Sequence, residues 1–267
     1  MLKTENMDSP WVLLEINNTA YAISCNSVLS LSQLLDITPI PASPKEARGV
    51  VIFRGRSIQL LDARLLLNFK SIQKEIAEFE EMLDLRSSEH LNWVNTLIDC
   101  VMAGKEFTLT VDPHKCDFGK WYDSYKPKNT NTMFLSVFAK FDEPHKSIHK
   151  IAETAQNLVK GGHQQDAIDL IQSVKDTELK QMLHLFEDLK RAYSESKKEI
   201  MVVIGDEKNC IALSVDQVIA IEHLFEFDEN LIKDSITNTK YLSGVAKRKN
   251  GSVVFILDCE YLFSEYH

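Results

Sequence analysis

YAISCNSVLSL at residues 21–31 aligns without gaps on IALSVDQVIAI at residues 211–221, with the apolar positions in step and Ala22/Ala212, Ser24/Ser214 and Val28/Val218 identical. The similarity extends outward from these stretches. Gly49-Val50 and Gly244-Val245 each precede a second glycine, Gly55 and Gly251, and each second glycine stands seven residues before an aspartate, Asp62 and Asp258. Two matched half-units, about 11–67 and 200–263, therefore flank an unmatched stretch of about 68–199. A repeat whose offset far exceeds the length of its unit implies an insertion between the copies.

Both half-units read as β structure. Short alternating or wholly apolar runs (WVLLEI, YAISC, GVVIF, SIQLLD, IMVVI, CIALSV, SVVFILD) are separated by NNT, FRGR, GDEKN and KRKNG. KNG at 249–251 is a hairpin signal, because Asn and Gly tolerate positive φ. Many short strands with tight turns favour a small β-barrel in each half. The middle carries apolar residues at three-and-four spacing instead. KSIQKEIAEFEEMLDLR, SEHLNWVNTLIDCVMAG, SIHKIAETAQNLVKGG and the long run from His163 to Lys198 read as amphipathic helices of a bundle, the third stopping at Gly161-Gly162. Met182, Phe186, Leu189 and Tyr193 keep the spacing of a core seam. The expected fold is α+β and multidomain, with β-barrels at 1–67 and 200–267 and a helical domain at 68–199.

Composition narrows the function. The chain has 267 residues with 44% hydrophobic content, enough for a well-packed core. A formal net charge of -9 argues against nucleic acid, whose phosphates are bound mainly by clustered Lys and Arg. No apolar run approaches the roughly 18 residues of a membrane span, and MLKTENMDSPW lacks the features of an export signal. A cytoplasmic protein without direct membrane insertion is expected. The five cysteines, at 25, 100, 116, 210 and 259, are odd in number and scattered, which suggests reduced thiols.

His145 and His149 in HKSIH are four apart, so on a helix both imidazoles leave one face at chelating distance. His90 begins HLNW, with Trp93 one turn later, and Cys116 opens CDFGKW; all four donors lie in the inserted helical stretch. Three imidazoles and a thiolate suit zinc, which takes N and S ligands tetrahedrally, better than magnesium or calcium. Spacing alone leaves other readings open: a solvated histidine face, a small core thiol, or a competing role for His114. His163, His184, His223 and His267 have no companions and read as structural or surface groups.

The insertion resembles the chemoreceptor zinc-binding domain, through His90-Leu-Asn-Trp93, then Cys116-Asp-Phe118-Gly119-Lys120-Trp121, then His145-Lys-Ser-Ile-His149, in that order. The resemblance implies Zn2+ held by His90, Cys116, His145 and His149 in a four-helix bundle. The flanks resemble CheW-like domains, the coupling modules of bacterial chemotaxis, through ITPIPASPKEARGVVIFRGRSIQLLDARLLL (37–67), CIALSVDQVIAIEHL and YLSGVAKRKNGSVVFILDCEYLF. That family's usual Asn-Leu-Arg-Gly stands here as Ile52-Phe53-Arg54-Gly55, so the Arg-Gly turn is kept and the polar residue before it is not. The resemblance places Arg54 and Gly55 near the contact with the histidine kinase CheA or the chemoreceptor cytoplasmic tip, with the protein at receptor arrays on the inner membrane face. It implies a non-catalytic signalling adaptor whose zinc site senses zinc or oxidants through a redox-sensitive Cys116. Two rivals remain: a zinc-dependent hydrolase with Asp112 or Glu143 as base, although four protein ligands leave no position for water, and a coupling protein whose zinc is purely structural.

Overall fold

The computed structural model describes residues 9–126, 131–228 and 240–266; His267 lies outside them. The chain divides into two compact units, Met1–Ile72 with Lys197–His267, and Gln73–Ser196. The first holds strands β1 (Trp11–Ile16), β2 (Thr19–Ser24), β3 (Val28–Gln33), β4 (Ala47–Phe53), β5 (Arg56–Asp62) and the short helix α1 (Ala63–Leu66). After the second unit it resumes with β6 (Ile200–Gly205), β7 (Cys210–Val215), β8 (Gln217–Glu222), β9 (Phe225–Asp228), β10 (Leu242–Lys247), β11 (Val253–Leu257) and a C-terminal helix, α8 (Cys259–Tyr266).

The α+β class holds, but the expected barrels are replaced by two mixed sheets. One runs β8-β1-β2-β11-β10-β9 and the other β3-β6-β7-β5-β4, and among the described residues no pairing joins the two edges of either. Neither sheet is made by one half of the chain. Exchanging each strand for its repeat partner (β1 for β6, β2 for β7, β3 for β8, β4 for β10, β5 for β11) turns the second order into the first five strands of the other sheet. Pairing senses follow the same exchange: β1·β2 and β6·β7 are antiparallel, and β2·β11 and β7·β5 are parallel.

The repeated eleven residues carry the chain from sheet to sheet. Residues 21–24 close β2 in one sheet, a 3-10 turn at Cys25–Ser27 redirects the backbone, and 28–31 open β3 in the other. Residues 211–221 make the reverse crossing through β7 and β8. The pattern of each segment matches its place: β7 lies between β6 and β5 and is buried along its whole length, whereas β8, at an edge, alternates exposed and half-buried. Each crossing therefore needs strands from the far end of the chain, which explains why the halves do not close separately.

The paired aspartates do one job twice. The Asp62 carboxylate accepts from the Leu65 amide at 3.1 Å and caps α1, and Asp258 accepts from the Tyr261 amide at 2.9 Å in the first turn of α8. Where the chain returns from the second unit, Glu199 pairs with Arg48 of β4 at 2.7 Å, and the same guanidinium nitrogen donates to Ser214 of β7 at 3.0 Å. Arg64 of α1 reaches Asp216 through Nε at 2.7 Å and Nη2 at 2.6 Å, and Asp216 also takes the Asn17 amide at 2.9 Å. These pairs are largely withdrawn from solvent, where losing one partner is costly.

The second unit is helical: α2 (Ile72–Ala103), α3 (Asp117–Ser124), α4 (Thr132–Ala139), α5 (Asp142–Lys160), α6 (Gln164–Val174) and α7 (Lys180–Ser196), the last two joined by a π segment at Lys175–Leu179. The two helices expected at 70–104 are one continuous rod, since no breaker interrupts that run. The bundle has three long segments, α2, α5 and α6–α7, and two eight-residue helices, α3 and α4, between α2 and α5. Their shared core contains Leu97, Phe118, Phe134, Phe141, Ile148 and Phe186. No helix among the described residues is long and apolar enough to cross a membrane.

Asp62 is buried as well as capping, so Asp62→Ala should lower stability by about 1–2 kcal/mol, and the half-buried Asp258→Ala by less. Denaturant unfolding of the two variants checks the order; equal losses would contradict it.

Candidate metal centre

Three helices aim four side chains at a common point. His90 comes from the middle of α2, Cys116 from the residue capping α3, and His145 and His149 from successive turns of α5. The HKSIH spacing puts Ile148 in the core beside the two histidines, and α5 buries this face. The donor atoms of His90, Cys116, His145 and His149 all lie within 4.8 Å of one another. Cys116 Sγ is 3.2 Å from His145 Nε2 and 4.0 Å from His90 Nε2.

The three imidazoles are almost sealed from solvent, at 3% exposure for His90, 4% for His145 and 2% for His149. His90 Nδ1 sits 2.8 Å from the Arg86 carbonyl. A carbonyl only accepts, so Nδ1 carries the proton and the Nε2 lone pair faces the sulfur. Neither ring nitrogen of His149 makes a hydrogen bond of normal geometry. The nearby Thr110 carbonyl, already taking Trp93 Nε1 at 2.8 Å, does pull its pKa upward. Unpaired buried groups of this kind are costly, about 1–3 kcal/mol each.

Cys116 is held by its own turn. Its sulfur accepts from the Gly119 amide at 3.1 Å, and its thiol lies 3.3 Å from the Pro113 carbonyl. The Pro113 oxygen would stand 1.8 Å from any Cβ at position 119, so only glycine fits the segment that presents the sulfur. Phe118 packs edge-on against His145, with ring centres 4.9 Å apart, and Trp93 lies 4.8 Å from His149. The Phe118 ring is fully buried; Trp121 packs beside it at a tilt, with ring centres 5.7 Å apart, and is only partly covered.

Electrostatics follows from burial. His145 is pushed down to about 3 and His149 to about 4, chiefly by desolvation and then by the neighbouring imidazoles; His90 is lowered for the same first reason. The Cys116 thiol is raised, mainly by burial, against the opposing amides of Gly119 and Phe118. At neutral pH the histidines are neutral and their lone pairs free, the state a metal needs.

A buried donor set of three N and one S, with His149 short of any hydrogen bond of normal geometry, fits zinc. Tetrahedral Zn–N and Zn–S bonds set donor separations at about 3.3–3.8 Å; here all the donors lie within 4.8 Å of one another, with Cys116 Sγ 3.2 Å from His145 Nε2 and 4.0 Å from His90 Nε2. A cavity of about 290 Å³, lined by His90, Trp93, Thr110, Cys116 and His149 among others, opens the cluster to one side.

Other candidate residues lie elsewhere. His114 is exposed and pairs with Asp123 at 2.8 Å, His163 pairs with Asp166 at 3.2 Å on the surface, and His184 and His223 are exposed. Asp112 and Glu143, the bases a hydrolase would need, stand outside the cluster, Asp112 being held by the His114 amide and Lys115. Arg54 and Gly55 form the two-residue turn between β4 and β5, both at positive φ (47° and 78°), and the Arg54 guanidinium lies 5.1 Å above the Phe53 ring. Sequence reasoning passed over the carbonyls of Arg86 and Pro113 and the amide of Gly119, because backbone groups leave no residue-type signal. Only the glycine in CDFGKW pointed to them.

Residues 10–90 and 177–267 match the CheW-like domain, and residues 90–156 match the chemoreceptor zinc-binding domain. The structure is similar to the crystal structure of scaffolding protein TtCheW from Thermoanaerobacter tengcongensis, at 10% identity and a TM-score of 0.42, covering 96% of this chain and 92% of that one. No curated protein sequence matches the chain.

Two outcomes follow from this geometry. Gly119→Ala should cost about 3 kcal/mol through the forced shift at Pro113, read as a lowered melting temperature of the helical unit; an unchanged Tm would contradict the contact. In metal-free protein the buried histidines titrate below their unfolded value near 6.5. Below pH 6.5 the unfolded chain takes up protons the folded chain refuses, so stability is complete above 6.5 and is lost as pH falls toward 4 and then 3, by at most about 1.4 kcal/mol per pH unit per histidine. Circular-dichroism melts in chelator across that range check it; a flat Tm would contradict the burial.

Proposed function

The chain belongs to the CheW-like domain family, and on that premise we propose that it is a non-catalytic signalling adaptor coupling chemoreceptors to the histidine kinase CheA under the control of its own metal centre. His90, Cys116, His145 and His149 would hold Zn2+. One observation carries this reading: three neutral imidazoles and one sulfur converge in a buried cluster in which neither ring nitrogen of His149 makes a hydrogen bond of normal geometry. Bound there, zinc would draw the thiol into its thiolate form.

What this chain's residues contribute can be said separately. The Arg86 carbonyl orients His90, and the Gly119 amide and the turn from Pro113 hold the sulfur in place. The cavity on one side gives a small oxidant access to Cys116. With a peroxide, the thiolate electron pair forms an S–O bond, the O–O bond breaks and hydroxide leaves, so sulfur is oxidised to a sulfenic acid and the peroxide is reduced. A sulfenic acid is a poorer ligand than a thiolate, and the four residues come from α2, α3 and α5, so loosening one loosens the packing of all three. Arg54 and Gly55, on a tight exposed turn of the CheW-like unit, are the proposed contact with kinase or receptor tip. The domain reading is then a CheW-like first part at 1–67, a zinc-binding helical domain at 68–199 and a CheW-like second part at 200–267, in a protein located at receptor arrays.

Purified protein should contain one zinc per chain, falling at least tenfold in affinity in Cys116→Ser and His149→Ala. Capture of CheA and of a receptor cytoplasmic fragment should change on peroxide treatment or chelation of the wild type and stay constant in Cys116→Ser treated with peroxide. Unchanged capture throughout, with zinc present, would leave the zinc as structural only and defeat the sensing reading.

A further inference from the structure

The two sheets match strand for strand, except at one edge. In the first sheet, β10 is covered by β9, with Val245 opposite Asp228 and Lys247 opposite Phe225. By the Gly-Val correspondence, β4 is the counterpart of β10, Val50 that of Val245 and Ile52 that of Lys247. Val50 has its partner: it exchanges both backbone hydrogen bonds with Thr38, at 2.8 and 2.9 Å. Pro39 follows at once, and among the described residues no strand continues alongside Ile52.

The backbone of Ile52 points outward at that gap. Phe53 and Arg56 flank a two-residue hairpin and are therefore a hydrogen-bonded pair, which makes Ile52–Ser57 a non-bonded pair whose N–H and C=O face away from β5. Among the described residues nothing is bonded to either group. The side chains at the two counterpart positions are also the reverse of what edge protection would choose. Open edges are ordinarily guarded by lysine, yet here Lys247 sits on the covered strand and Ile52, 59% exposed, on the open one.

Charge identifies what fits. Beside Ile52 the hairpin tip carries Arg54 and Arg56; among the described residues Arg54 has no carboxylate partner and Arg56 bonds only the carbonyls of Glu207 and Lys208, in a chain whose net charge is -9. At the matching place on the other sheet, the covering strand is Phe-Glu-Phe-Asp, whose Glu226 meets Lys247.

We propose that the outer edge of β4 at Ile52 is a strand-addition site for an extended segment of a partner protein with alternating apolar and acidic residues. The segment would exchange backbone hydrogen bonds with Ile52, cover its side chain and set a carboxylate against Arg54. This deepens the coupling reading above, on which it rests for the partner's identity, by assigning the docking mode.

The test uses the full-length protein, with CheA and separately with a synthetic peptide of residues 222–228, EHLFEFD, as the probe. Ile52→Pro removes the outward N–H without touching the β4·β5 ladder, because that N–H does not face β5; Ile52→Thr keeps it. Binding of the peptide should slow exchange of the Ile52 amide at least about tenfold, and both peptide and kinase should bind Ile52→Pro about tenfold more weakly than Ile52→Thr. Unaltered exchange at Ile52 with saturating peptide, or equal binding by the two folded variants, overturns the proposal. Self-association that Ile52→Pro abolishes overturns it in favour of a second copy as the occupant. If CheA fails to bind the wild type while the peptide still protects Ile52, the coupling reading falls and the strand-addition site stands.

Discussion

A strand in the middle of a sheet must have its backbone groups paired on both sides, and that demand ties the two ends of this chain together. β2 is flanked by β1 and β11, and β7 by β6 and β5, so each sheet needs strands from before and after the helical unit. The crossing segments at 21–31 and 211–221 make this unavoidable, because each leaves one sheet and enters the other. A long insertion is compatible with such a fold because the chain departs after β5 and α1 and resumes at β6, all in the β unit, and the closure entropy of a loop grows only slowly with its length.

The polar groups withdrawn into this unit stand where chain segments from different halves meet. Arg48 joins β4 to Glu199 at the return from the helical unit and to Ser214 on β7, and Arg64 joins α1 to Asp216 at the β7–β8 crossing. Ion pairs with little solvent exposure contribute less by net energy than by allowing only one arrangement of their partners. Here that arrangement is the register in which the two halves interleave.

The metal centre obeys the same logic with the opposite sign. Rather than satisfying every buried polar group internally, the helical unit leaves His149 without a hydrogen bond of normal geometry and packs Phe118, Trp93 and Phe186 around the three imidazoles. Apolar packing alone would not place histidines there, since burial without a partner is unfavourable. The cost becomes intelligible when a metal supplies the missing partner.

Much of this was legible in the residues. The repeat, the helical insertion between its copies, the Arg-Gly turn and the four donors all rest on local signals: apolar period, glycine at positive φ, and the side-chain chemistry of His and Cys. What the residues could not carry was non-local pairing. Alternation along β8 and continuity along β7 tell how buried a strand is, not which strand lies beside it, so exchange of strands between the halves and the open sheets in place of barrels emerged only in three dimensions. The same holds at the site. HKSIH and CDFGKW identify donors, but the carbonyls of Arg86 and Pro113 that orient and confine them belong to the backbone, whose chemistry is the same at every residue and whose direction only the tertiary structure decides.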